Sequence, residues 1–136
     1  MKRRDFIVKS GIVSTGILTS SAVSAVSCSF MPSDTINIGV IGTGDRGTGL
    51  TPFLNEIEGI NVSACCDVLP FRLENGLKAA GNGAIGYTNY RELLANKDID
   101  AVLVTTPFSM HSQIASDAID AGKHVYCEKT MAKDFS

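Results

Sequence analysis

The stretch Ile36-Asn-Ile-Gly-Val-Ile-Gly-Thr-Gly-Asp-Arg-Gly47 decides the fold of this chain. Its first half is an apolar run rich in β-branched residues and predicts a buried strand. Its second half is a Gly-x-Gly-x-x-Gly turn built on Gly42, Gly44 and Gly47. The residues that follow are apolar at helical spacing, namely Leu50, Phe53, Leu54 and Ile57. A strand, a glycine turn and a helix in this order predict a turn at which a phosphate group approaches the backbone and the helix N-terminus.

Strands and helices alternate from this unit to the end of the chain. The first helix is predicted to end at Gly59. Further strands are predicted at Ile60–Cys66, 84–87, 101–105 and His124–Cys127. Further helices are predicted from Pro70, over 90–94, and from a cap at Ser109 to about Ala121. This alternation predicts an α/β fold with a doubly wound parallel sheet of order 3-2-1-4-5. In that order Cys66 and Cys127 lie three strand spacings apart and stay unpaired.

An acidic residue follows the second strand at the position where a ribose is expected. Asp67 lies 20 residues after Gly47. A carboxylate there accepts hydrogen bonds from the 2′- and 3′-hydroxyls of adenosine and repels a 2′-phosphate. The sequence therefore predicts NAD as the cofactor, with NADP fitting less well, and Arg72 is the residue that would tolerate the extra phosphate. The alternatives are a plain glycine turn and an ordinary strand-end acid.

Four motifs, taken in their order and spacing, resemble the Gfo/Idh/MocA family of oxidoreductases. They are Gly39-Val-Ile-Gly-Thr-Gly-Asp-Arg-Gly47, Cys66-Asp67, Thr105-Thr-Pro-Phe-Ser-Met-His111 and Ala121-Gly-Lys-His-Val-Tyr-Cys-Glu-Lys129. The resemblance covers about residue 35 to the end of the chain. It implies hydride transfer between a nicotinamide cofactor and a sugar- or polyol-type substrate.

The same resemblance implies the residues of the site. Those that bind the cofactor would be Gly42, Thr43, Gly44, Asp45, Arg46, Gly47, Asp67, Arg72, Thr106, Pro107, His111, Glu128 and Lys129. Thr43, Asp45 and Arg46 would line the dinucleotide turn, and Arg72 would lie beside the adenine. The nicotinamide half would run along Thr106, Pro107 and His111, and Glu128 would contact its ribose. For His111 the alternative is a residue that helps to cap the following helix.

Lys129 is the predicted catalytic residue, because it stands where the family has the lysine of a Glu-Lys-Pro motif. Here Thr130 replaces the proline, which would have fixed φ and removed an N–H. Physical chemistry supports the role independently, since ligands of open parallel sheets bind outside the carboxyl ends of the strands. An ammonium at that edge orients a substrate hydroxyl and eases its deprotonation as hydride leaves the carbon. The alternative is a solvated Glu-Lys pair at a strand end.

The first thirty residues are predicted to be an export signal. Residues 1–27 carry four basic residues and one acidic residue, a net of +3, whereas residues 28–136 carry a net of −5. The pattern Arg3-Arg4-Asp5-Phe6-Ile7 resembles a twin-arginine (Tat) signal. It is followed by an uncharged stretch, Ser10 to Ser33, that is too rich in Ser and Thr for a stable transmembrane helix. We therefore expect delivery to the periplasm by the Tat pathway, with a plain N-terminal anchor as the alternative.

A second signal overlaps the end of this segment. Small residues before Cys28 in Ala25-Val-Ser-Cys28 resemble a lipobox, in which the cysteine becomes a lipid-anchored N-terminus. The alternative is cleavage that leaves Cys28 in a flexible arm. Residues 31–35 are then a short linker to the domain at 36–136.

Composition narrows the class of protein. The 136 residues are 44% hydrophobic with a net charge of −2, which fits one small folded domain and argues against a nucleic-acid binder. The adjacent pair Cys65-Cys66 and a total of two histidines lack the spacing of a metal site, so no metal is predicted.

The resemblance also implies a longer protein. Family members continue into a second α/β domain that carries the substrate pocket, so we expect residues 36–136 to be the cofactor half of a C-terminally truncated protein, inactive alone and homo-oligomeric when complete. Three functions remain open: an exported NAD-dependent oxidoreductase, an NAD-dependent glycoside hydrolase in which transient oxidation assists bond cleavage, and a non-catalytic nucleotide-binding domain. Net formation of NADH separates the first two, because the hydrolase recycles its hydride.

Overall fold

Strands and helices alternate throughout residues 35–81 and 83–131, which are the residues that the computed structural model describes. The strands are β1 (Ile36–Ile41), β2 (Ile60–Cys66), β3 (Ile85–Tyr87), β4 (Ala101–Val104) and β5 (His124–Cys127). The helices are α1 (Asp45–Asn55), α2 (Pro70–Ala80), α3 (Tyr90–Ala95) and α4 (His111–Asp120). The predicted export signal, the lipobox at Cys28 and residues 31–34 of the predicted linker lie outside the described residues.

The five strands form a parallel sheet in the order β3-β2-β1-β4-β5, which confirms the predicted doubly wound fold. From β1 the chain first builds outward through β2 to β3, and then returns to place β4 on the other side of β1. The chain leaves the end of β1 toward one side of the sheet and the end of β4 toward the other. A crevice therefore opens between the turn after β1 and the turn after β4, at the carboxyl ends of the strands. This is the place where the site is expected.

Apolar side chains cover both faces of the sheet, as a parallel sheet requires. On one face, Val40, Val62, Cys65 and Leu103 are buried beneath α1 and α2. On the other, the larger cluster under α3 and α4 is centred on Leu93, Val102, Val104 and Ile114. The helices of the described part include none with the length and apolar character of a membrane span.

Two helix boundaries differ from the sequence prediction. Ser109 does not cap α4; it lies in a 3-10 turn, Phe108–Met110, and α4 starts at His111 without a side-chain cap. The turn forms because Pro107 leaves the chain extended, and the Met110 N–H then closes back on the Pro107 carbonyl at 2.9 Å. Helix α1 ends at Asn55 rather than at Gly59, because past it the Ile57 N–H bonds the Leu54 carbonyl, three residues back rather than four. The side-chain amide of Asn55 accepts a hydrogen bond from the Val62 N–H and donates one to the Ala80 carbonyl.

Cys66 and Cys127 are unpaired, as predicted, because β1 and β4 separate their strands. Burial raises the pKa of the Cys66 thiol to about 12 and that of Cys65 to about 11. Both β2 thiols therefore stay protonated and behave as small apolar core residues.

Candidate cofactor-binding site

A cavity of about 520 Å³ opens at the carboxyl ends of β1, β2 and β4. This volume lies in the usual range of small-molecule sites. Gly42 and Gly44 form its middle, Asp67 and Arg72 stand at the β2 end, and Thr105–Pro107 form the β4 end. The switch point of the sheet thus carries a glycine turn with an acid on one side of it and a threonine-proline turn on the other.

The glycine turn has a shape that only glycine permits. Gly42 adopts a φ of +95°, and a Cβ there would stand 2.8 Å from the backbone of Thr105. A Cβ on Gly47 would fall on the carbonyl oxygen of Gly42. Helix α1 begins after Gly44, which offers no side chain to cap it. The N–H groups of the first turn are therefore left for an anion, and the helix dipole favours one there.

Asp67 has two tasks in this structure. It is only 8% exposed, and its Oδ2 accepts a 2.9 Å hydrogen bond from the Thr43 N–H of the glycine turn. Its Oδ1 accepts a second one, also 2.9 Å, from the Leu69 N–H. A carboxylate has about four lone-pair positions, so two remain for the hydroxyls of a ribose. The strand-end acid therefore shapes the turn and also faces the cavity.

Thr43 was predicted to line the dinucleotide turn, and its side chain points away from the cavity. Its side chain is 1% exposed, and its hydroxyl donates to the Arg72 carbonyl at 2.9 Å. Its methyl group packs against Gly76, where a Cβ would clash with it. Thr43 thus fastens the glycine turn to α2. The Arg72 guanidinium lies close to Gly44. A Cβ added to Gly44 would be 3.7 Å from the Nη1 atom of Arg72.

Arg46 and Glu128 bind each other across the domain. The Nε and Nη2 atoms of Arg46 donate to Glu128 Oε1 at 3.0 and 2.8 Å. The Arg46 hydrogen bond lowers the pKa of Glu128 from its usual range. The pair joins the first turn of α1 to the end of β5 and borders an apolar groove over β4 and β5 rather than the cavity. Sequence reasoning named both residues and missed that they are partners.

The β4 end of the cavity holds an unpaired polar atom. The Thr106 hydroxyl is buried and has no hydrogen-bond partner in the described part of the chain. Buried polar groups are nearly always paired. The Ser63 hydroxyl is unpaired too, but only Thr106 of these two residues lines the cavity, where a ligand atom would supply the missing partner. Together with the glycine turn, the uncapped helix and the free lone pairs of Asp67, it makes the cavity fit a dinucleotide.

The remaining candidates do not line the cavity. They are Thr43, Asp45, Arg46, Gly47, His111, Glu128 and Lys129. Lys129 is exposed directly after β5, and the Lys129–Thr130 peptide is cis. His111 is 2% exposed, and its ring lies within hydrogen-bond distance of two backbone carbonyls. Among residues 35–81 and 83–131 no group of three or more His, Cys, Asp or Glu is arranged to hold a metal ion.

A doubly wound sheet with a glycine turn and a strand-end acid at its switch point defines a dinucleotide-binding Rossmann domain. Residues 36–136 match the sequence model of the Gfo/Idh/MocA family, described as an oxidoreductase family with an NAD-binding Rossmann fold. The chain belongs to this family. The predicted NAD cofactor is thereby confirmed at the level of the family.

The chain is similar to curated proteins named as glycosyl hydrolases and to solved structures named as dehydrogenases or reductases. A glycosyl hydrolase family 109 protein from Shewanella sp. strain ANA-3 is 35% identical over 107 residues, covering 73% of this chain and 24% of the relative. A scyllo-inositol dehydrogenase from Lactobacillus casei, crystallised with NAD(H) and scyllo-inositol, is 32% identical with a TM-score of 0.65, covering 74% of this chain and 29% of that one.

A second solved structure carries the other dinucleotide. It is a 3-ketoreductase from Actinomadura kijaniata in complex with TDP-benzene and NADP, 30% identical with a TM-score of 0.66, and covers 74% of this chain and 32% of that one. The present chain spans about a quarter to a third of the length of the curated relatives that it matches.

Proposed function

We propose that this chain is the dinucleotide-binding part of an exported, NAD-dependent oxidoreductase that moves hydride between the nicotinamide ring and a sugar or polyol. One observation carries the proposal: the glycine turn, the uncapped start of α1 and the Asp67 carboxylate meet at one cavity. The inositol dehydrogenase crystallised with NAD(H) supports the same cofactor and substrate class.

Each part of the chain has its own task in this function. Bound NAD supplies the ring that accepts or gives the hydride. The N–H groups of the first turn of α1 would offset the charge of the pyrophosphate, and Asp67 would accept hydrogen bonds from the ribose hydroxyls. Thr106 and Pro107 would line the nicotinamide end of the cavity. Lys129 follows β5, where its ammonium would donate a hydrogen bond to the substrate oxygen and offset the negative charge that develops on it, while the hydroxyl proton passes to solvent and the hydride passes to the nicotinamide ring.

Asp67 is expected to set the choice between NAD and NADP. Asp67→Ser removes the ribose hydrogen bonds and the repulsion of a 2′-phosphate. Each bond to a charged acceptor is worth about 1.5–3 kcal/mol, so NAD should bind at least about tenfold more weakly while NADP improves relative to it. The measurement is the ratio of the two dissociation constants by calorimetry.

A matched control separates recognition from folding. Asp100 also accepts a backbone hydrogen bond, from the Asn37 N–H at 2.9 Å, and lies outside the cavity. Asp100→Ser should leave the NAD to NADP ratio as it is. If the ratio stays constant in Asp67→Ser too, Asp67 does not face the ribose.

A glycoside hydrolase is the second candidate, and the glycosyl hydrolase family 109 relatives favour it. In this mechanism the substrate is oxidised, its glycosidic bond is cleaved, and the same hydride is returned. The cofactor cavity would serve both functions unchanged. Incubation with substrate separates them, because accumulation of NADH accompanies only the net oxidation.

Export by the Tat pathway is expected to depend on the paired arginines. The pathway moves folded proteins, so NAD is loaded before transport. Replacing Arg3 and Arg4 by Lys should leave the precursor in the cytoplasm, whereas Lys2→Arg, the control, should be exported normally. Cell fractionation measures this, and periplasmic delivery of the double variant at the normal level would rule the pathway out. Lipid attachment at Cys28 stays a prediction.

A further inference from the structure

Tyr90 lines the cavity beside the end of β3, and none of the sequence motifs includes it. Thr88 and Asn89 connect β3 to α3, Tyr90 begins α3, and all three belong to the lining. They stand directly next to the strand-end acid, because the Asp67 N–H donates to the Tyr87 carbonyl at 3.2 Å. A group that extends past a ribose held at Asp67, away from the glycine turn, would therefore meet Tyr90.

Two neighbours hold the side chain of Tyr90 in place. Its hydroxyl donates a 2.6 Å hydrogen bond to Asp117 Oδ2 on α4. The Arg91 guanidinium lies over the Tyr90 ring, 4.7 Å from the centroid, and bonds the same carboxylate oxygen at 3.0 Å. Burial and the hydrogen bond to Asp117 raise the pKa of Tyr90 above its usual range, so the hydroxyl stays protonated at neutral pH. The ring is thereby fixed between α3 and α4.

The side of the Tyr90 ring that faces the cavity is left for a ligand. Neither Arg91 nor Asp117 lines the cavity, so both hold the ring from outside it. The lining also includes three apolar side chains that are exposed to solvent, namely Val68, Leu69 and Met110. A fixed aromatic ring in a cavity with exposed apolar side chains fits a flat, weakly polar group such as a nucleotide base.

We propose that Tyr90 binds the base of the dinucleotide, with the adenine packed against the part of the ring that faces the cavity. The inference rests on the proposed function, since it takes Asp67 to hold the adenosine ribose. Aromatic side chains bind bases through their π-faces. The hydroxyl of Tyr90 is already used by Asp117, so the ring itself makes the contact.

The first test observes Tyr90 directly in the 136-residue chain by NMR. The chain has three tyrosines, and Tyr90→Phe assigns their labelled ring signals by removing one set. ADP-ribose should shift the Tyr90 signals, because an aromatic base changes the magnetic field at a ring beside it. Tyr126 is the internal control, since it lies in the groove over β4 and β5 and its signals should stay in place. Nicotinamide mononucleotide, which lacks adenine, should leave the Tyr90 signals unshifted.

Two substitutions then measure the effect on affinity by calorimetry. Tyr90→Leu removes the ring and should weaken ADP-ribose at least about threefold, since stacking on an aromatic side chain usually contributes more than that. Tyr90→Phe keeps the ring and loses the hydrogen bond to Asp117, so ADP-ribose should bind within about twofold of wild type. Tyr126→Leu makes the same replacement outside the cavity and should leave the affinity unchanged.

The outcomes that count against the inference are distinguishable. Tyr90 signals that stay in place while ADP-ribose binds, or that move equally with nicotinamide mononucleotide, overturn the role of Tyr90 and leave the cofactor site standing. Equal affinity of Tyr90→Leu and wild type does the same, as does equal loss in Tyr90→Leu and Tyr90→Phe. If Tyr90→Leu does not fold, the signals of the wild-type chain decide. A wild-type chain that binds neither NAD nor ADP-ribose overturns the proposed function, and the inference with it.

Discussion

Replacing Lys129 by Ala should lower the turnover of the longer enzyme about 10²- to 10⁴-fold, which is the usual contribution of a general acid–base group. NAD affinity should change little, because the pyrophosphate and the ribose are held at the glycine turn and at Asp67, on the other side of the cavity. The ammonium is needed only where charge develops on the substrate oxygen. Steady-state kinetics and NAD calorimetry on the same variant measure the two effects separately.

Lys97 offers the control for this substitution. It is an exposed lysine of the loop before β4 and does not line the cavity. Lys97→Ala should leave both turnover and NAD affinity unchanged. Normal turnover in Lys129→Ala would remove Lys129 from the mechanism. Clear dehydrogenase activity from the 136-residue chain alone would show that no further substrate domain is needed.

A single methyl group on Gly47 should disrupt both the fold and the cofactor site. The Cβ of Gly47→Ala would fall on the Gly42 carbonyl oxygen and lie 2.7 Å from Thr105 Oγ1. That carbonyl already accepts a 2.6 Å hydrogen bond from the Thr105 hydroxyl, so it has little room to move. Forcing a group into packed surroundings costs about 1–3 kcal/mol, occasionally more. Because the glycine turn must shift, NAD affinity should fall at least about tenfold.

Gly49 provides a control two residues further along the same helix. A Cβ there meets nothing within 4 Å. Gly49→Ala should therefore raise the free energy of unfolding by about 0.5–1 kcal/mol, the usual gain of Ala over Gly inside a helix, with NAD affinity unchanged. Urea unfolding and calorimetry test both variants. Equal stability of the two would mean that α1 does not pack against the turn at Gly47 as the structure shows.

Local pattern was enough to predict the frame of this domain. The bounds predicted for β1, β2 and β5 agree with the structure, because short β-branched runs between turns are readable within a few residues. The strand order followed from the right-handed crossover rule, which leaves few arrangements for alternating strands and helices. Gly42, Gly44 and Asp67 were predictable because backbone shape and strand-end position are local properties.

The sequence by itself thus determined the sheet, the glycine turn and the acid beside it. Only the tertiary structure decided which side chains meet. Arg46 pairs with Glu128 across 82 positions, Asp67 accepts a hydrogen bond from the Thr43 N–H across 24, and the His111 ring lies beside the carbonyls of Thr106 and Thr130. Such partners depend on how elements cross and on the few directions that a side chain can take once its backbone is packed. Periodicity along one element carries no record of what lies opposite it, and for that reason the pairing of Arg46 with Glu128 became visible only in three dimensions.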